Sequence, residues 1–169
     1  MGRRPASEPA LTIGAIEELM NKGYNGNEIA DMFGVSRQAV SWHRKNYTST
    51  RTPRELVNEH FPWKVPHELN QQSPYRRLRD HGEYMATGGK GMSADKLQRL
   101  RTFYRKLING NLVVEFDPTL PPVPGVANKG GFAFRSRKAR DGDLIIRINN
   151  YTVITDEGRM IWRLPPTLP

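Results

Sequence analysis

The sequence predicts an α+β protein in two parts: three short helices and a linker helix, then a domain of two longer helices carrying a small antiparallel sheet. Three observations carry this expectation. Apolar residues recur at helical spacing up to residue 108 and fall in short β-branched runs from residue 112 onward. Glycine, proline and small polar residues cluster where one pattern gives way to the next. The stretch "TSTRT" (residues 48–52) is short, polar and unpatterned, and reads as a linker. The expected boundaries are 1–50 for the head, 51–62 for the linker and short helix, and 63–169 for the second domain.

The first helix is expected over residues 12–22. Ile13, Ile16, Leu19 and Met20 share its inner face, Thr12 can cap it and Gly23 stops it. The second begins at Asn25, whose side chain can accept from first-turn amides, with Glu28 placed to reach back and complete a capping box. Ile29, Ala30 and Phe33 face inward before Gly34 ends it. The third covers residues 36–45 from the cap Ser36. Pro53 suits the first turn of a short helix to His60, with Leu56 and Val57 as its apolar side.

Pro62 and Pro66 then break the chain. Two stronger helices follow over residues 73–87 and 93–108, separated by "GGKG" (88–91). Leu97, Leu100, Phe103, Tyr104, Leu107 and Ile108 form the buried stripe of the second. The remainder reads as strands at "LVVEF" (112–116), "GFAFRSR" (131–137), "DLIIRI" (143–148), "YTVIT" (151–155) and "RMIWRL" (159–164). The proline-rich "PTLPPVPG" is a loop between the first two.

Composition excludes several classes. No apolar run approaches the ~18 residues of a membrane span. "MGRRPASEP" has no apolar segment after its arginines, and Ala6 stands where myristoylation prefers Ser or Thr. A cytoplasmic protein with no membrane partner is expected. The absence of cysteine removes disulfides, thiolate zinc sites and a cysteine nucleophile, and neither metal nor cofactor is expected.

Twenty-six Lys+Arg against 17 Asp+Glu leave a net charge of +9, which favours a polyanionic partner. The excess is unevenly placed. Residues 1–50 hold six basic and five acidic side chains, residues 51–110 twelve and six, and residues 111–169 eight and six.

Within the head, the spacing from Asn25 to Lys45 fits a helix-turn-helix unit. Ala30 is small where two helices cross, Gly34 stands where the turn needs a left-handed backbone, and Val35 and Val40 are apolar where the second helix packs. With Val40 facing the core, Gln38, Trp42 and Lys45 fall on the opposite side; Ser41 borders it and Arg37 projects from the first turn. In this motif the start of the second helix enters the major groove. Gln pairs with adenine and Arg with guanine, at ~1–3 kcal/mol of discrimination for each good pair. Arg37, Gln38, Ser41, Trp42 and Lys45 are therefore candidates for reading bases of double-stranded DNA. Asn25, Ser36, Arg44 and Arg51 are candidates for the backbone.

A nearly neutral head gives weak electrostatic footing. Repressors of this kind usually dimerise, but no heptad seam is visible and the stripe over 93–108 is needed for its own core. An obligate homo-oligomer is not expected. Second-domain DNA contacts are expected instead from Arg76, Arg77 and Arg79 on one helix, from Lys90 in the glycine-rich turn, and from Arg135, Arg137, Lys138 and Arg140. "GGKG" lacks the spacing and the Lys-Ser/Thr pair of a P-loop. Asp80, His81 and Glu83 resemble a catalytic cluster only superficially, because His81 points ~100° away on a helix. No enzyme activity is expected. Residues alone leave open a dimeric regulator of a palindromic operator, and a recombinase or nuclease accessory protein.

The stretches "GVSRQAVSWHRKN", "YRRLRDHGEYMATGGKG" and "GGFAFRSRKARDGDLIIRINNYT" together resemble the immunity repressors of temperate actinobacteriophages, the mycobacteriophage type. The likeness spans most of the chain, and its specificity lies in the second domain. It implies a monomeric repressor that binds asymmetric operator and stoperator sites through both domains. Such proteins keep lytic genes silent in a lysogen and confer immunity to related phages.

Overall fold

The computed structural model describes residues 13–41 and 52–169. It is α+β, in the order α1 (Ile13–Asn21), α2 (Gly26–Phe33), α3 (37–41), α4 (Pro53–His60), α5 (Ser73–Thr87), α6 (Ala94–Asn109), β1 (Leu112–Phe116), β2 (Phe132–Ser136) and α7 (Asp156–Ile161).

Local chemistry explains where the helices begin. Asn25 and Thr52 each close a capping box, with Glu28 and Glu55 respectively, so two otherwise orphaned amides at each helix start are satisfied. Ser36 accepts from the Ala39 amide at 3.1 Å and Ser93 from the Lys96 amide at 3.2 Å. The first-turn proline of α4 costs no hydrogen bond there.

Two cores form. Ile16, Ile29, Ala30, Phe33, Ala39 and Val40 bury one another in the smaller. The larger gathers α4, α5, α6, both strands and α7, with Tyr104, Trp162, Phe116 and Phe132 among its fully buried side chains. Leu56 and Val57 of α4 belong to this larger core, and a Cβ at Gly82 of α5 would meet Val57 at 2.6 Å. The expected linker helix is thus pressed onto α5. Met160 of α7 packs against both cores.

The sheet is smaller than the sequence predicts: two antiparallel strands, with Val114 opposite Phe134. Residues 143–148 make single bridges instead, Ile146 to Val114 and Leu144 to Arg163. All of Leu144, Ile145, Ile146 and Arg147 are buried, so the segment is threaded through the core without the in-and-out alternation of an extended ladder. Residues 151–155 are not a strand. Asn149 and Thr152 close a turn on their own side chains, Val153 donates to Pro62 at 2.8 Å, and the Val153 side chain is 73% exposed.

The first half of the predicted strand at 159–164 is the end of α7, and beyond the helix Arg163 makes only the single bridge to Leu144. Thr155 accepts from the Gly158 amide at 3.0 Å, and the cap starts a helix where a short apolar run had suggested β structure. Ile108, expected in the stripe of α6, is 47% exposed, because the helix ends one residue later and the chain turns away at Gly110.

His81 is fully buried between α5, α6 and α7. Its Nε2 lies against the Ile161 carbonyl, so that nitrogen carries the proton and Nδ1 accepts from the Tyr104 hydroxyl at 2.6 Å. Burial pushes the imidazole down from 6.5 to about 4, against the opposing pull of the carbonyl. A histidine kept neutral while the unfolded chain protonates destabilises the fold as pH drops through the window between those values. At ~1.4 kcal/mol per pH unit the loss approaches roughly 3 kcal/mol. Denaturant midpoints of the wild type are therefore expected to fall from pH 7 to pH 4 more steeply than those of His81→Phe, which starts lower but lacks this titration.

Candidate nucleic-acid interface

The turn between α2 and α3 rests on Gly34, whose φ of 61° is left-handed. Its amide donates to Asp31 at 3.2 Å and the Val35 amide to Ala30 at 3.0 Å, capping the end of α2. Ser36 then restarts the helix. Ala39 and Val40 are buried, while Arg37, Gln38 and Ser41 are exposed. The backbone candidates Asn25 and Ser36 both serve as helix caps. Trp42, Arg44, Lys45 and Arg51 lie outside the described residues.

The second-domain candidates fall at separate places. Arg79 turns towards α4, where it donates to Asn58 at 2.6 Å and its guanidinium lies 5.9 Å from the Phe61 ring centroid. Lys90 is exposed in the α5–α6 turn. Arg135 pairs with Glu115 at 3.0 Å across the strands, and Arg137 donates to the Gly142 carbonyl at 2.6 Å. Lys138 and Arg140 are exposed beside it.

The loop carrying those last residues is held by a pair that sequence reading did not single out. Arg147 is buried and donates to Asp141 at 2.8 and 3.0 Å and to the Ser136 carbonyl at 2.8 Å. Burial raises the Asp141 carboxyl, but the bonds from Arg147 and from the Lys138 amide outweigh it and hold the group below its ordinary range. The adjacency of "RDGD" and "IIRI" was legible; that Arg147 faces inward was not, because an arginine in an apolar run reads as an outward residue.

Arg76 and Arg77 line a groove of about 570 Å³ between the start of α5 and the α6 segment from Arg99 to Lys106. Arg99 and Lys106 line its other side, and Phe134 of β2 forms a wall. A smaller cleft of about 370 Å³ beside α4 mixes Arg54, Arg79 and Lys96 with Asp80 and Glu83. The α5–α6 groove has no acidic residue in its lining. Sequence reading passed over Arg99 and Lys106, although their seven-residue spacing places them on one side of α6.

Asp80, His81 and Glu83 do not converge on a common point. Asp80 pairs with Arg77, Glu83 with Lys96, and both His81 nitrogens are engaged. Among the described residues no three His, Asp or Glu side chains gather where they could hold a metal. Among them also no helix is long and apolar enough to cross a membrane.

No family model matches the chain. Over 156 residues it is 44% identical to a protein of Mycobacterium phage L5 described as a repressor-like immunity protein, which covers 92% of this chain and 85% of that relative.

A valine at position 34 forces a β-branched side chain into a left-handed backbone, which costs ~1–2 kcal/mol for a non-glycine residue. Gly34→Val is expected to lower the melting temperature of the smaller core and Gly34→Asn to lower it much less. Amide exchange resolved over residues 13–41 checks both.

Proposed function

Because this chain belongs to the family of mycobacteriophage immunity repressors, we propose that it is a sequence-specific repressor that binds double-stranded DNA as a monomer through two domains. In this reading residues 1–50 act as a helix-turn-helix head, and the body from residue 63, with α4 packed on it, grips the duplex beside the head. The sites it reads are asymmetric operators and stoperators, and their occupation silences lytic genes in the lysogen.

The observation that carries this reading is the turn from α2 to α3. A left-handed Gly34, the Ser36 cap and the buried Val40 leave Arg37 and Gln38 exposed at the start of a short helix. That is the end which enters the major groove in this motif. Gln38 and Arg37 supply base-edge hydrogen bonds, with Ser41, Trp42 and Lys45 further along. Asn25, Ser36, Arg44 and Arg51 supply backbone contacts. In the body, Arg76, Arg77, Lys90, Lys138 and Arg140 are candidates for phosphate contact, with Arg135 and Arg137 close to the last two. Arg79, already held by Asn58, acts by fixing α5 against α4.

A footprint on fragments of the source genome tests the symmetry of the site, and sedimentation of the protein on a short bound duplex tests the stoichiometry. One protein per asymmetric footprint is expected; two per palindrome would replace the reading by a dimeric regulator. Gln38→Ala is expected to weaken binding to the footprinted site by ~1–3 kcal/mol and to relax preference at one base position. Equal weakening on that site and on random duplex would remove Gln38 from base reading.

A further inference from the structure

The groove between α5 and α6 combines three features that favour an anion. Four cations, Arg76, Arg77, Arg99 and Lys106, line it without an acidic neighbour in the lining. The Arg77 side chain is only 12% exposed, and although its Nη1 lies 3.0 Å from Asp80, neither that nitrogen nor Nε has a hydrogen-bond partner. Burial pulls its pKa down against the opposing pull of Asp80, and the nearby Arg76 and Arg99 add to the fall. The charges are therefore crowded together with too little negative charge to balance them.

The third feature is the start of α5. Ser73 and Pro74 also line the groove. This 15-residue helix has no acidic residue in its first turn and no side-chain cap, because Gln72 gives its amide to the Gly130 carbonyl at 2.7 Å and accepts from the Lys129 amide at 2.8 Å. The positive end of a helix dipole thus adds to the four side chains. On the opposite side, Lys106 lies 3.8 Å from the centre of the Phe134 ring, which fixes its ammonium at the groove wall.

The geometry points to a phosphate-binding site in this groove, formed by Arg76, Arg77, Arg99 and Lys106 at the N-terminal end of α5. The inference rests on the proposed DNA-binding function for its first source of phosphate, a backbone phosphate of the duplex. It adds Arg99 and Lys106 to the grip and separates this site from the turn at Lys90. The second source is the phosphate of a free small molecule.

The test compares the full-length protein with the double variant Arg99→Gln/Lys106→Gln. Both residues are exposed on α6 and outside its buried stripe, so the fold is expected to persist, as an unchanged melting temperature would verify. Arg105→Gln, which removes an exposed charge of α6 outside the groove, is the control. Thr102→Lys adds a cation inside it.

Affinity for the footprinted duplex is measured against salt. Each phosphate no longer neutralised takes about 0.9 from the slope of log affinity on log salt. The double variant is expected to shallow the slope by roughly 1–2, Thr102→Lys to steepen it, and Arg105→Gln to leave it unchanged. The preference for specific over random duplex is expected to stay constant. In a second arm, inorganic phosphate is titrated without DNA and followed by amide shifts on α5 and α6.

A shallower slope assigns the groove to the duplex backbone. An unchanged slope, with phosphate shifts in the wild type that vanish in the double variant, assigns it to a free phosphorylated ligand. Neither effect, or a slope equally reduced by Arg105→Gln, overturns the site. Failure of the wild type to prefer any genomic fragment would instead overturn the repressor reading, and the phosphate titration would still decide the groove.

Discussion

His81 joins three helices through two hydrogen bonds, and the arrangement of the larger core depends on that line. Tyr104 on α6 donates to the imidazole on α5, which donates in turn to the Ile161 carbonyl at the end of α7. The last carbonyls of a helix have no partner within it, and leaving one buried and unpaired costs ~1–3 kcal/mol. The neighbouring Trp162 does the same for α4, donating its indole N–H to the His60 carbonyl at 2.8 Å. A six-residue helix such as α7 cannot persist alone. It persists here because both of its ends are tied, by Thr155 at the start and His81 at the finish. Met160, carried on that tied helix, then meets the core of the head.

Two largely buried arginines show what burial does under different compensation. Arg147 is more buried than Arg77, yet its guanidinium has a carboxylate on two nitrogens and a carbonyl besides. Such a closed pair adds little net stability but fixes geometry, here that of the loop from Lys138 to Asp141. Arg77 has one carboxylate, poorly aligned, and two other arginines close by. Asp80 is itself desolvated: burial raises its carboxyl against the opposing pull of Arg77 and Lys96. The Arg77 charge is thus held in place with incomplete compensation, which is the preorganisation the proposed anion site would use.

The parts legible in the sequence were those decided by a few adjacent residues. Asn25 with Glu28, Pro53 and the glycine at 34 each specify a local backbone event, and the helices begin and end there. The apolar stripe of α6 survives to Leu107, because 3.6-residue periodicity over four turns leaves little freedom. The segments from residue 143 onward were misread for the opposite reason. A run such as "RMIWRL" is too short for its period to be decisive, and the Thr155 cap three residues before Gly158 was the overriding signal. "DLIIRI" is extended but shared between β1 and the chain after α7, which is a matter of tertiary placement. The groove was illegible for a similar reason: Arg76 and Arg99 are far apart in sequence, and only the antiparallel packing of two helices sets them together.

The separation of the cationic features bears on how the proposed grip would work. From Arg76 to Thr87 along α5 is roughly 17 Å at 1.5 Å per residue, and Lys90 lies beyond that end. A duplex carries one charge per ~1.7 Å of axis, so features that far apart face different phosphates. Contacts so spaced act on affinity nearly independently. Each would release its own counterions, and none would depend on the base sequence between them. Specificity would then remain with the head, where residues 1–50 carry almost no net charge and so add little binding to wrong sequences. A strongly basic head would hold any duplex nearly as well as its own site. Placing the charge on the other part of the chain would raise affinity without eroding the discrimination proposed for Arg37 and Gln38, because a misplaced head would forfeit its base contacts while the body's grip stayed the same on every sequence.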